Sequence, residues 1–358
     1  MINIIKKTIP TNFKNWLKKI VPFKLRQQLF SLSSKTLAEQ LLARYSVYLK
    51  NQRQSIDDQR LLRASAYETN SHILDVAHSM AVTHYGAYES EPDGLKKKEG
   101  LLNLCDADYA AAKKSLYNSG YWVAPRTIDN SLLQQFAESA ITRLDELKKI
   151  SLKLKDLENN RKLTFVDEMV FLGADWVMAQ ELAIRLATCG DINKIVAEYL
   201  GVDPVLNLPE SWFSFPVDKL NNQSAQNWHW DCDRIRWIKV FVYINDVTQH
   251  NGPHAYVAGS HRGWKIRTET SRVTHEALMK KYEPEEEVIF MAPKGTVIFE
   301  DTRGFHRGTP LLCGCRLILQ LEFSIDSFGY IHNKISVPKK HLVNFTCYPR
   351  LDKNVIFS

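Results

Sequence analysis

Hydrophobic positions along this chain fall into two regimes. Up to Leu200 they recur mostly at three- and four-residue spacing, the period of a helix face. Phe13, Trp16, Leu17, Ile20 and Val21 alternate in this way with Lys14, Lys18 and Lys19, and Pro22 interrupts the pattern before a second periodic stretch over 37–49. The first hundred residues therefore read as helical. The run Glu91-Pro92-Asp93-Gly94, followed by Lys96-Lys97-Lys98, reads as a solvated connector and sets a boundary. Beyond it, 109–117 is helical, Asn118-Ser119-Gly120 is a stop signal, and 121–124 reads as a short strand. Asp129 or Asn130 can cap a helix running to Lys149, and a charged stretch, 153–162, follows. Further helices fit 175–188 and 191–200, the latter ending at Gly201, where a left-handed residue costs little.

After Gly201 the apolar residues gather into short runs at 204–207, 212–216, 235–244, 288–291, 296–299 and 317–323, and Pro293-Lys294-Gly295 reads as a tight turn between two of them. Short strands broken by Gly and Asn point to a barrel or sandwich rather than to a parallel α/β sheet. Helices first and strands later is an α+β order with a mainly β core. No repeat of 20 to 50 residues is present.

Composition narrows the class. The chain has 358 residues, 44% hydrophobic and 24% charged, as expected of a globular protein with a substantial core. The net charge of +7 is unevenly spread: between Met1 and Ala38 there is no Asp or Glu, while Lys6, Lys7, Lys14, Lys18, Lys19, Lys24, Arg26 and Lys35 lie there. That basic amphipathic start suits a face capping the core, a helix at an anionic lipid surface, or a partner-binding segment. Nucleic-acid binding is not expected, because the charge is local and no basic-aromatic sheet pattern accompanies it. The six cysteines show no paired zinc spacing and are too sparse for a disulfide scaffold, so a reducing compartment is expected. No apolar run reaches signal-peptide or membrane-spanning length. The expectation is a cytoplasmic protein, peripheral at a membrane if residues 1–38 bind lipid.

Candidate chemistry centres on Trp228-His229-Trp230-Asp231 and on Gly304-Phe305-His306-Arg307-Gly308. On a strand, residues i and i+2 share a face, so His229 and Asp231 can reach one metal ion. Taken alone, a His-x-Asp is more readily a solvated strand end, since the chain has eleven histidines. Two imidazoles and one carboxylate form the face that non-haem Fe(II) uses, with other positions left open. His306 ends a strand pair that a closed antiparallel barrel could bring beside the first two. Arg316 opens the next apolar strand, where a buried guanidinium needs an anionic partner.

From Cys105 to Ile335 the chain resembles the phytanoyl-CoA dioxygenase family of Fe(II)/2-oxoglutarate-dependent oxygenases. The matching pieces, in order, are Gly120-Tyr121-Trp122-Val123, Trp228-His229-Trp230-Asp231, Asn245-Asp246-Val247, Asn251-Gly252-Pro253, Gly259-Ser260-His261, Gly304-Phe305-His306-Arg307-Gly308 and Arg316. Ala258 stands where the family often has Pro, a difference that bears on loop shape. The resemblance implies a double-stranded β-helix (jelly-roll) core with His229, Asp231 and His306 as iron ligands and Arg316 on the distal carboxylate of 2-oxoglutarate. Gln226 is the candidate for the other end of that co-substrate. The resemblance also implies O2 as oxidant, succinate and CO2 as products, and a hydroxylated small-molecule, lipid or glycan substrate. The same site could serve desaturation, cyclisation or epimerisation, and a jelly-roll binding protein with a vestigial site is the non-enzymatic alternative. Asp231, being an aspartate rather than a small residue, leaves no place for a halide and favours hydroxylation over halogenation.

The domain boundaries that follow are a helical extension over 1–104, an oxygenase domain over 105–335 and a packed tail over 336–358. His250 and His254 read as loop histidines because Asn251-Gly252-Pro253 breaks any helix joining them. His261 is expected to order its loop. His72, His78 and His84 share no helix face and read as ordinary members of the helical region. Cys232, Trp228 and Trp230 should face away from the ligand side and pack. The oligomeric state is left open.

Overall fold

The shift from a helix period to short apolar runs corresponds to a change of architecture in the computed structural model. It describes residues 35–89, 101–158, 168–218, 225–266, 271–331, 333–345, 350–351 and 353–358. The basic start before residue 35 and the connector at 91–98 lie outside the described residues. In chain order come α1 (Lys35–Asn51), α2 (Ile56–Glu68), α3 (His72–Tyr85), α4 (Asp106–Ser119), β1 (Tyr121–Val123), α5 (Asn130–Lys148), α6 (Leu154–Glu158), β2 (Met169–Phe171), α7 (Ala174–Met178), α8 (Glu181–Ala187) and α9 (Gly190–Leu200). The strand-rich part follows with β3 (Val205–Ser214), β4 (Trp228–His229), β5 (Trp237–Tyr243), β6 (His254–Val257), β7 (Arg272–Val273), α10 (His275–Met279), β8 (Glu287–Phe290), β9 (Val297–Glu300), β10 (His306–Gly308), β11 (Arg316–Ser324), β12 (Ile335–Val337) and β13 (Val355–Phe357).

Local chemistry explains several boundaries. The Asp129 carboxylate accepts the Ser131 N–H at 2.8 Å and starts α5. Gly120 and Gly201 end α4 and α9 in the left-handed region. The helix expected over 175–188 is instead two pieces, because Gln180 is extended at φ −88°, ψ 134° and breaks the run between α7 and α8. The two short strands expected around residues 204–216 are one, β3, which carries Pro209 without interruption. His254 is not in a loop: β6 begins there, directly after Pro253, and the residue is buried.

Two antiparallel sheets carry the β core. The larger has the order β1-β9-β5-β11-β3-β2 and the smaller β7-β4-β10-β6-β8. Alternation along the central strands sorts the side chains. Leu317, Leu319, Leu321 and Phe323 of β11, with Ile238, Val240 and Val242 of β5, join a core shared with the helices. The opposite face carries Arg316, Ile318, Gln320 and Glu322, together with Lys239, Phe241 and Tyr243. A smaller apolar cluster between the sheets unites Trp212, Phe241, Tyr243, Ile298 and Ile318 with Tyr256 and Phe290 of the smaller sheet. Because that cluster is small, the inter-sheet space keeps room for polar side chains.

The helical extension is tied to this core. Tyr45 donates to the buried Asp326 carboxylate at 2.5 Å, and Asp75 of α3 receives Arg236 at 2.6 Å and Arg303 at 3.3 Å. Arg303 in turn clamps Asp301 just past β9. These links fix the turn between β9 and β10, whose Thr302 carbonyl accepts the Asp231 N–H at 2.8 Å. No helix among the described residues is long and apolar enough to cross a membrane.

Candidate metal centre

His229 and His306 come from distant parts of the chain and meet through strand pairing. They are direct partners in the antiparallel register of β4 and β10, so their side chains leave the same face of the smaller sheet. Their ring centroids lie 4.1 Å apart. Each ring is fixed by its own backbone: His229 Nδ1 lies 2.8 Å from the Asn227 carbonyl and His306 Nδ1 lies 2.9 Å from the Gly304 carbonyl. A carbonyl only accepts, so each Nδ1 carries the proton and each Nε2 presents a lone pair.

Both Nε2 atoms face Asp231, at 3.9 Å from His229 and 3.5 Å from His306. The three potential ligand atoms lie within 4.8 Å of one another, and this is the one such group of three or more His, Cys, Asp or Glu side chains found among the described residues. Burial and the neighbouring His306 ring push the His229 pKa well below its usual value. Burial alone would raise the Asp231 pKa, but the Lys239 charge and the two imidazoles outweigh it and hold the carboxyl well below the usual range. Two imidazole nitrogens and one carboxylate in reach of each other are a donor set suited to a borderline divalent ion.

Lys239 was not among the residues singled out by sequence. It donates to Asp231 at 2.7 Å, lies 3.4 Å from Asp233 and 4.0 Å from Glu322. Burial works against its charge, yet the Asp231, Asp233 and Glu322 carboxylates outweigh that and raise its pKa. Glu322 is paired with Arg234 at 3.2 Å. The available signal was positional: a lysine inside the apolar run of β5, and an acid inside that of β11.

Arg316 sits at the other end of this face. It is 3% exposed and donates to the Gly252 carbonyl and, at 3.2 Å, to the Ser214 hydroxyl. No carboxylate among the described residues pairs with it, its Nε has no partner, and burial lowers its pKa to about 10. The guanidinium lies over Gly308, where an added Cβ would stand 2.5 Å from Nη2. Gly308 is two residues beyond His306 on β10 and therefore on the same face, roughly 7 Å along the strand. Gln226, just ahead of β4, is buried, and the Ala225 carbonyl beside it accepts the Gly308 N–H.

Between these ends His254 and Glu300 form a buried pair at 2.8 Å. Burial, together with the Arg316 charge, lowers His254 to about 3 and burial raises Glu300 to about 8, so the pair favours the neutral imidazole beside a protonated carboxyl. Among the other residues weighed from sequence, Trp228 points away from the triad and donates to His275 at 3.1 Å, while Trp230 stacks on Trp264 at 4.0 Å. Cys232 is buried, with its thiol pushed up to about 12 by burial. His261 contacts the Tyr117 carbonyl at 3.3 Å and His78 the Leu200 carbonyl at 2.6 Å.

The family described as phytanoyl-CoA dioxygenase (PhyH) matches residues 173–313. No curated protein matches the chain. Among solved structures, EctD from S. alaskensis with bound Fe is similar at 17% identity, covering 66% of this chain and 87% of that one, with a TM-score of 0.46. AviO1 from Streptomyces viridochromogenes Tue57 is similar at 19% identity over 64% of this chain and 99% of that one, with a TM-score of 0.43. The non-heme alpha ketoglutarate dependent carbocyclase SnoK from nogalamycin biosynthesis follows at 14% identity over 63% and 85%, TM-score 0.42. The match to the phytanoyl-CoA dioxygenase family thus spans residues 173–313, a stretch that holds His229, Asp231 and His306 and stops before Arg316.

Proposed function

We propose that this chain is an Fe(II)- and 2-oxoglutarate-dependent oxygenase that hydroxylates an unactivated C–H bond on a double-stranded β-helix scaffold. The strand orders support the scaffold, since the chain crosses between the two sheets at β3–β4, β4–β5, β5–β6, β8–β9, β9–β10 and β10–β11. The observation that carries the function is the triad beside a buried guanidinium that has no carboxylate of its own. Such a charge is costly to bury alone, and an incoming carboxylate would satisfy it in a bidentate pair.

In this reading His229, Asp231 and His306 hold the metal, and Arg316 and Ser214 hold the distal carboxylate of 2-oxoglutarate. Iron and co-substrate supply the oxidising power, and the balance closes when C–H, O2 and 2-oxoglutarate become C–OH, succinate and CO2. The residues do the rest. The Asn227 and Gly304 carbonyls accept from the two Nδ1 atoms and so keep both Nε2 atoms aimed inward. Lys239 orients the Asp231 carboxylate, and Gly308 leaves the space across which Arg316 reaches towards the His306 side.

The test is an anaerobic Fe(II) titration of the full chain with and without 2-oxoglutarate, followed by a succinate assay in air. One metal equivalent, bound more tightly with the co-substrate present, and metal-dependent succinate release are expected. Metal binding indifferent to 2-oxoglutarate, with no succinate, would overturn the reading and favour a jelly-roll binding protein.

A further inference from the structure

The inner face of the larger sheet continues past the triad, and its composition bears on what is oxidised there. On β3 and β11 the register pairs Arg316 with Ser214, Ile318 with Trp212 and Gln320 with Glu210, so all six face the same side. One strand further out, Phe171 of β2 is the partner of Trp212. The two rings lie 5.7 Å apart, with Phe171 half exposed. Gln320 donates to Glu210 at 3.3 Å. Burial raises the Glu210 pKa; Lys239 opposes that and the Asp233 and Asp231 charges add to it, which puts its carboxyl within electrostatic reach of the triad.

Exposure tells from which side a substrate arrives. The Arg316 end is closed, with Glu300 fully buried and His254 7% exposed. Asp231 and Asp233 keep 18% and 19% of their side chains exposed, and Glu210 is half buried. The approach is therefore along the Glu210 side. Besides the Arg316 Nε, two buried polar atoms on this face have no hydrogen-bond partner: the Trp212 Nε1 donor and the Glu322 Oε2 acceptor, the latter 4.0 Å from the Lys239 ammonium. Trp212 is 8% exposed and Glu322 1%. An orphan donor, an orphan acceptor and a carboxylate–amide pair beside an aromatic platform call for groups that both give and take hydrogen bonds. Hydroxyls do both. An acyl chain laid here would leave those desolvated polar atoms unmatched, at a cost that discriminates strongly.

We propose that Phe171, Trp212, Glu210 and Gln320 form the recognition wall for a hydroxyl-rich ring of the sugar or cyclic-polyol type, which is the molecule oxidised at the triad. The reaction rests on the oxygenase reading above; the binding does not. The discriminating experiment is saturation-transfer NMR on the full, metal-free chain with a pool of methyl hexopyranosides and inositols, and separately with octanoyl-CoA. Transfer to the ring pool, reduced at least tenfold in both Trp212→Phe and Gln320→Leu, is the expected result. Transfer to octanoyl-CoA alone, transfer to neither, or transfer that survives both substitutions would overturn the proposal. If one variant fails to fold, as judged by its circular dichroism melt, the other decides. A succinate assay with Fe(II), 2-oxoglutarate and the responding ring separates the two claims. Ring binding without metal-dependent succinate sinks the oxidation and leaves the recognised class standing, while succinate release stimulated by octanoyl-CoA sinks the class and leaves the oxygenase.

Discussion

At one end of the inner sheet face Arg316 is buried with only a carbonyl and a hydroxyl for company; at the other, Arg234, Lys239, Glu322, Asp233 and Asp231 pair with opposite charges, leaving only the Glu322 Oε2 without a hydrogen bond. Both regions carry charge into the interior on adjacent strands, yet only the second neutralises it internally. A buried pair is at best modestly stabilising, but half of one is strongly destabilising. In the proposed function the isolated guanidinium is a binding group whose partner comes from outside. The paired cluster holds Asp231 in place through Lys239.

The largest expected effect falls on the metal itself. Asp231→Ala removes the one anionic member of the proposed ligand set and should weaken Fe(II) binding by at least about 1,000-fold while abolishing succinate release, since a lost ligand should cost more than a lost outer-shell partner. Undiminished turnover would refute the ligand assignment. The contrast between the two ends is tested most directly by two matched substitutions. Arg234→Leu leaves Glu322 buried with only Lys239, 4.0 Å away, to offset its charge and should lower unfolding stability by about 3–5 kcal/mol. Arg316→Leu should leave it unchanged or raise it, because no carboxylate loses a partner. Chemical denaturation of both variants without ligand checks this, and equal destabilisation would erase the distinction. With 2-oxoglutarate present the order reverses: Arg316→Leu should weaken its binding by about 100-fold, within the range for breaking a buried charge-assisted pair.

Smaller effects sharpen the picture. Gly308→Ala puts a methyl 2.5 Å from the Arg316 guanidinium and should raise the 2-oxoglutarate requirement by roughly tenfold, on the scale of a modest displacement of a binding group, while metal affinity holds. The smallest is a pH effect. Glu300 titrates at about 8 in the folded chain against an ordinary 4.5, so its contribution to stability is complete below 4.5 and is lost as pH rises through 8. His254 has the opposite sign: lowered to about 3, it contributes above 6.5 and that contribution is lost as pH falls towards 3. Glu300→Gln should flatten the decline on the alkaline side alone, which melting curves from pH 5 to 8 would show.

Much of this was legible in the chain because ligand chemistry is local. His229 and Asp231 lie two apart on one extended segment, and Arg316 stands out at the head of an apolar strand. The helix limits around Asp129, Gly120 and Gly201 were legible for the same reason, since capping is decided within one turn. Two features escaped because they are settled by tertiary pairing. His254 looked like a loop residue after Asn251-Gly252-Pro253, yet pairing with β10 and β8 draws it into a strand. Lys239 drew no reading inside its apolar run, and only the cross-strand register with Glu322 and Glu300 reveals why it is there. The break at Gln180 had no evident local warning, because neither Ala179 nor Gln180 disfavours a helix strongly.

The direct β4–β10 opposition of the two imidazoles has a consequence for how this protein matures. Slipping either strand by a single position would turn one ring to the far side of the sheet. A divalent ion can then engage both nitrogens only after two segments separated in the chain by five strands, β5 to β9, have found their correct alignment. During refolding, uptake of Co(II) would report that alignment as a colour change, and chains caught in a shifted pairing would stay pale however compact they had become.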